Sequence, residues 1–181
     1  MKDRTKTITI IGMLCAMAYV AVAVCRIPMF AFLSYEPKDV IIVIGGLLYG
    51  PLAAFAVSLV VSLAEMVTIS STGPIGMVMN VISSCAFACV AAWAYQKNRS
   101  FKGAVAGLLA GVAAMTVVML LWNYLLTPLY LKTPREAVVQ MLIPVFLPFN
   151  LIKGGINALL AVLLYRPVVV RLRRSRDDLP L

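Results

Sequence analysis

The chain is built from uncharged apolar runs, each close to the length that crosses a bilayer, parted by short polar segments. Ile8 to Cys25, Val40 to Ala64, Met66 to Gln96 and Gly103 to Leu131 contain no charged residue. A spanning helix needs about 20 mostly apolar residues, so the pattern predicts an all-α integral membrane protein. Composition agrees: 62% of residues are hydrophobic and 13% charged, where soluble domains carry about 25% charged residues.

Punctuation divides the runs into six transmembrane helices. The first is expected from Thr5 to Arg26. Its basic start imitates a signal peptide, but the apolar body exceeds the usual ~7–15 residues and no small-residue cleavage site follows, so it is expected to be retained. "RIPMFAFLSYEPKD" reads as a loop marked by Pro28 and Pro37. Asp39 to Ile69 would make roughly 46 Å of helix at about 1.5 Å per residue, too long for one crossing. Tyr49-Gly50-Pro51 supplies the break, because glycine turns the chain and proline opens a new helix. A short helix over 37–49 and a full one over 51–69 result. Beyond the turn signal Ser70–Pro74, a fourth helix runs to Tyr95 and a fifth from Gly103 to Leu126. A longer polar loop holds Lys132, Arg135 and Glu136, and the sixth helix starts at Val138 or Pro144 and reaches Val170. The tail "RLRRSRDDLPL" is charged, and residues 1–181 read as a single transmembrane domain.

The net charge of +9 reflects topology rather than a nucleic-acid partner, because the basic residues lie in short clusters between apolar runs. With the N-terminus inside, cytoplasmic segments hold Lys2, Arg4, Lys6, Lys97, Arg99, Lys102, Arg166, Arg171, Arg173, Arg174 and Arg176. External loops hold only Arg26, Lys38, Lys132 and Arg135. The positive-inside rule therefore predicts both termini in the cytoplasm. No inverted repeat relates the two halves.

Chemistry concentrates in "FLPFNLIKGGIN". Asn150, Lys153 and Asn157 recur at the spacing of one helix stripe. A lysine facing lipid there costs at least ~2.5–3.5 kcal/mol, so it must face a cavity or a partner. Two amides beside a cation point to a ligand site; the other readings are snorkelling outward and a structural ion pair, with Glu65 as partner. Glu65 is expected to be the only other buried ionisable residue, lining a pocket or bracing it near the outer end of helix 3. A proton-coupling role has only that one carboxylate behind it. Asn123 lies between Trp122 and Tyr124, an arrangement that suits either a flat heteroaromatic ligand or aromatic anchoring at the interface. Asn80 is either a pocket amide or interhelical glue. Gly12 and Ala16 form a small-xxx-small pair on helix 1, open to internal packing or an outside helix.

Other chemistries have nothing to stand on. Cys15, Cys25, Cys85 and Cys89 sit in apolar runs without histidine and read as small hydrophobes, not a zinc site. Without a P-loop, metal cluster, catalytic triad or paired catalytic carboxylates, the chain is not expected to be an enzyme.

At these residues the chain resembles the riboflavin-specific S components, the RibU family, of energy-coupling factor (ECF) transporters. The resemblance spans nearly the whole chain and rests on Gly12-x-x-x-Ala16, "FLSYEPKDVIIVIGGLLYGPLA", "TGPIGMVMN", "WNYLLTPLY" and above all "LPFNLIKG". It implies a six-helix bundle in the bacterial plasma membrane that captures riboflavin from outside, with no cofactor of its own. By residue match, Asn123, Asn150 and Lys153 would hydrogen-bond the flavin. The start of helix 2 around Leu33, Tyr35 and Asp39 would close over it, with the first loop as lid. Asn80 and Glu65 complete the candidate wall. Gly12 and Ala16 would dock on a transmembrane coupling protein (the T component), driven by two ABC ATPases that use the ATP. Many members carry a Lys-Asn or Lys-Asp pair and a histidine in helix 3, where this chain has Val61, Ser62 and Glu65. Another vitamin, a flavin nucleotide, or a stand-alone proton-coupled solute carrier are the alternatives the sequence leaves.

Overall fold

The computed structural model describes residues 2–30, 33–70 and 72–171. Helix α1 (Lys2–Val24) leads into a hairpin of β1 (Ile27–Phe30) and β2 (Leu33–Tyr35), followed by α2 (Lys38–Tyr49), α3 (Pro51–Thr68), α4 (Gly73–Lys97) and α5 (Phe101–Leu131). A last rod comprises α6 (Arg135–Met141), a π-helical turn (Leu142–Phe146), α7 (Leu147–Leu164) and a second π-helical turn (Tyr165–Val170). Counting that rod once gives six helices. Five are long and apolar enough to cross a membrane: Thr5–Val24, Pro51–Thr68, Gly73–Lys97, Phe101–Leu129 and Arg135–Val170. Leu52, Val67, Leu129 and Ile143 stand on their outer surfaces, where a lipid solvent favours them.

The remaining helix, α2, packs among four of the others. Its 12 residues make about 18 Å of helix, short of a ~30 Å hydrocarbon core. Lys38, Asp39, Val40 and every residue from Ile42 to Leu47 are buried, and the helix touches α1, α3, α4 and α7. Gly50 ends it at φ 95°, a conformation L side chains resist, and Pro51 takes the first turn of α3, where its missing N–H costs nothing.

Close approach between backbones seals α4 to α5. A Cβ on Gly107 would stand 2.7 Å from the Ala91 carbonyl oxygen, and one on Gly111 2.5 Å from that of Phe87. Only glycine permits this contact, the small-residue packing expected where lipid supplies no hydrophobic drive. Ile42, Val57, Phe87, Leu108 and Met115 fill the core beneath.

Several boundaries differ from expectation. The first loop is a short antiparallel hairpin, pairing Ile27 with Tyr35 and Pro28 with Ser34. Helix α5 passes through Pro128 to Leu131, so the polar loop shrinks to Lys132–Pro134 and Arg135 and Glu136 join α6. Around Pro144 and Pro167 the helix widens into π-helical turns rather than stopping, which accommodates a ring that clashes with the carbonyl of the preceding turn. The charged tail from Leu172 lies outside the described residues.

Candidate functional site

One end of the bundle gathers the C-terminal ends of α1, α3 and α5 with the hairpin and the N-terminal ends of α2, α4 and α7. Because α2 is too short to span, its first residues start below that end rather than in solvent. Lys38, at the head of α2, is fully buried at 0% exposure. Its Nζ donates to both carboxylate oxygens of Glu65 on α3, at 2.5 and 2.7 Å. It also stands 2.8 Å from Glu36 Oε2, a charge contact without hydrogen-bond alignment. Asn80 on α4 donates to Glu65 Oε2 at 3.2 Å, and Arg26 Nε lies 3.4 Å from Glu36 Oε1, again unaligned.

A second cluster hangs on Asp39. Its Oδ1 accepts from Ser84 at 2.5 Å, and its Oδ2 faces Lys153 Nζ at 3.3 Å and the Asn157 amide at 3.4 Å. Asn157 Oδ1 in turn accepts from the Tyr35 hydroxyl at 2.9 Å, which ties the hairpin to α7. Arg26, Lys38 and Lys153 therefore balance Glu36, Asp39 and Glu65. That balance is what makes so much buried charge tolerable, since an unpaired ion in such a place is strongly destabilising.

Beside these clusters opens a cleft. Its empty volume, open solvent at the mouth included, is about 710 Å³. The hairpin side supplies Arg26, Leu33, Ser34 and Glu36; α4 supplies Ile75, Met79, Asn80 and Ser83; α5 supplies Met119 and Thr127; α7 supplies Phe149, Asn150 and Lys153. Apolar walls with a few placed polar groups suit a small organic ligand. Asn150 donates its Nδ2 to the Phe146 carbonyl at 2.7 Å, which leaves Oδ1 as an acceptor. One turn on, the Lys153 ammonium has three donors and a single close carboxylate. Acceptor and charged donor side by side can read a ligand edge on which an N–H adjoins a carbonyl.

Of the expected site residues, Asn150, Lys153, Asn80 and Leu33 line the cleft. Asp39 and Glu65 are not among the lining residues but hold Lys153 and Asn80, which are, and Tyr35 bonds to Asn157. Asn123 stands between two residues that do line the cleft, Met119 and Thr127: it donates to the Met119 carbonyl and accepts from Thr127 Oγ1. Trp122 and Tyr124 do not line the cleft, and the Tyr124 ring lies 5.2 Å from the Arg135 guanidinium. Gly12 and Ala16 are exposed on α1, and a Cβ added to Gly12 meets nothing; the small pair faces outward.

Three expectations need correction. Glu65 is not alone: Glu36, Lys38 and Asp39 are also buried. The carboxylate beside Lys153 is Asp39 rather than Glu65. Lys38 is likewise no loop charge but the centre of a network. The signal was present in "EPKD" directly before a helix too short to cross, since such a helix must begin inside the protein.

Burial raises the Glu36 carboxyl, but Lys38, Lys153 and Arg26 outweigh it and hold the group below the ordinary carboxylate range. A depressed carboxyl contributes stability above its unfolded value of about 4.3 that is lost as pH falls through the folded one. The melting temperature in detergent is expected to be flat from pH 6 to 8, where a chain without histidine has few groups to titrate. It should fall below about pH 4, and the fall should be smaller in Glu36→Gln. Burial and the nearby Asp39 push the Tyr35 phenol up, against a smaller pull from Lys153, so it stays a hydrogen-bond donor to Asn157.

Comparison with known proteins agrees with this architecture. Riboflavin transporter FmnP of Bacillus subtilis (strain 168) is 32% identical over 163 residues, covering 83% of this chain and 85% of the relative. Riboflavin transporter RibU of Staphylococcus aureus (strain TCH60) is 30% identical over 180 residues, covering 95% of each. A solved structure of the S component of a bacterial ECF transporter superposes with a TM-score of 0.79 at 29% identity, over 94% of this chain and 99% of that one. The family model described as ECF transporter, substrate-specific component, matches residues 6–165. The chain belongs to the substrate-specific components of ECF transporters.

Proposed function

We propose that this chain captures riboflavin from outside the cell and delivers it to the cytoplasm as the substrate-binding subunit of an ECF importer. The observation that carries the reading is the Asn150–Lys153 pair in the cleft. A flavin's pyrimidine edge presents an imide N–H between two carbonyls: Asn150 Oδ1 can accept from the N–H while Lys153 donates to a carbonyl. Leu33, Met79, Met119 and Phe149 offer apolar surface to the rings. Two curated relatives named riboflavin transporters, each similar along most of its length, support the choice of vitamin.

Orientation follows from charge. Lys97, Lys102 and Arg166 lie at the end of the bundle opposite the cleft, and the positive-inside rule puts that end in the cytoplasm with the N-terminus. The cleft then opens outward, with the hairpin as its lid. Glu65 is ion-paired with Lys38 and accepts a hydrogen bond from Asn80, which disfavours a lone proton-coupled carrier. Import instead draws on a transmembrane coupling protein, docked on the exposed Gly12–Ala16 face of α1, and on two ABC ATPases. In this reading ATP is hydrolysed by the partners, and the chain carries no ATPase or cofactor of its own. Titrating the purified chain with riboflavin should quench flavin fluorescence stoichiometrically, and uptake should require the coupling module. Absence of quenching would sink the ligand; protonophore-sensitive uptake without any ATPase would sink the importer.

A further inference from the structure

We propose that the corner where α4 ends, α5 begins and the last rod passes Tyr165 is a docking site for an anionic phospholipid. Arg166 and Lys102 take its phosphate, with Lys97 and Arg99 beside them. The corner lies at the end of the bundle opposite the cleft and is independent of the ligand there.

Charge is the first observation. Lys97, Arg99, Lys102 and Arg166 are all exposed, and among the described residues none of them is in an ion pair. Sequence gives the reason: no aspartate or glutamate occurs from Met66 to Leu131 or from Ala137 to Arg176. The elements that build this corner therefore bring no carboxylate to it. Arg26, Lys38 and Lys153 at the cleft each face an acidic side chain; these four cations are left for an outside anion.

Packing is the second observation. The buried hydroxyls of Tyr95 and Tyr165 share a hydrogen bond at 3.1 Å. The Phe101 ring packs on Tyr165 with centroids 5.6 Å apart, and the Arg166 guanidinium lies 5.8 Å from the Phe101 centroid. The start of α5 is thus pinned to the end of the last rod, and Arg166 is set against the residue next to Lys102. On the α4 side, Lys97 Nζ lies 3.7 Å from the centre of the Trp93 ring.

Location names the occupant. Trp93, Phe101, Leu163 and Leu164 are exposed beside these cations. Aromatic and aliphatic surface bordering charge marks the level where hydrocarbon meets headgroups, and basic sites between helices at that level bind anionic lipids. A lipid serves both halves of the surface, its phosphate meeting the cations and its acyl chains the apolar flank. A soluble anion, or a soluble acidic protein, serves only the first.

Brominated lipids quench a tryptophan only when they lie against it, so one tryptophan at the corner reports its own lipid. The probe is the full chain carrying Phe101→Trp, with Trp93→Phe and Trp122→Phe to remove the two native tryptophans. Indole keeps the aromatic contact with Arg166. The chain is reconstituted in phosphatidylcholine vesicles containing brominated phosphatidylglycerol or brominated phosphatidylcholine. Quenching should favour the anionic lipid by on the order of 10-fold, and Lys102→Gln and Arg166→Gln should each reduce that preference about fivefold. Added salt should shrink it. A chain keeping only Trp122, about 30 Å along α5 from Phe101, should show little preference. Should the probe fail to fold, native Trp93 in Trp122→Phe replaces it, with Lys97→Gln as the neutralised cation. Equal quenching by the two lipids at the corner, or a preference that survives the substitutions, overturns the inference. So does a preference abolished by inorganic phosphate but not by chloride at equal ionic strength, which makes the site one for a soluble anion. If the substitutions spare lipid preference but block assembly with a coupling module, the corner is a protein interface and the inference falls.

Discussion

Lys38→Met should be the most damaging single substitution outside the helix seams, although the sequence presents Lys38 as a loop residue. Its ammonium touches Glu65 through two hydrogen bonds and Glu36 through a charge contact, all out of solvent. Removing one partner of a buried ion pair costs about 3–5 kcal/mol, because the remaining charge is stranded; here two carboxylates are stranded together. For a chain of this length each kcal/mol moves the melting temperature by about 2–4 °C, so a fall on the order of 10 °C is expected in detergent. The distinguishing result is rescue. Adding Glu65→Gln to Lys38→Met should recover part of the loss, and adding Glu36→Gln as well should recover most of it, since a fully neutral cluster strands nothing. If Lys38→Met melts like the original protein, the network is not what holds the hairpin root to α3.

What the sequence revealed and what it hid divide along physical lines. The number of helices and the break at Gly50-Pro51 were legible because lipid demands long apolar runs and a positive φ demands glycine; that α2 is too short to span was not turned into a count of five long helices. The end of α5 was misplaced because Pro128 stops helices in water more firmly than in a membrane protein, where neighbours satisfy the freed backbone groups. The inward stripe of Asn150, Lys153 and Asn157 was legible from the cost of a cation in lipid. Its partner was not: Glu65 was the carboxylate the sequence offered, and only packing brings Asp39 to 3.3 Å. Asn123 stands between the cleft residues Met119 and Thr127 and bonds to both; a helical repeat assigns a residue to a face but not its side chain to a rotamer. Glu36 and Lys38 were hidden because a count of loop charges treats everything before a helix as solvent-exposed.

Lys153→Met should abolish useful flavin binding, and the structure says how to separate recognition from damage. A hydrogen bond to a charged group is worth about 1.5–3 kcal/mol, and the lost ammonium also strands Asp39, although Ser84 and Asn157 still donate to that carboxylate. Riboflavin affinity should therefore fall on the order of 100-fold. Lys153→Arg should not restore it, because the planar fork cannot reproduce a point donor on a wall where Met115 and Val112 already crowd the neighbouring Gly154. The ligand supplies the sharper control. Methylating the imide nitrogen of the flavin removes the N–H that Asn150 Oδ1 is positioned to accept, and should weaken binding to the original protein by about 10-fold or more. In Asn150→Leu the methylated and unmethylated ligands should bind alike, because the acceptor is gone. If methylation costs the same in both proteins, Asn150 does not read that edge, and the ligand must lie the other way round in the cleft.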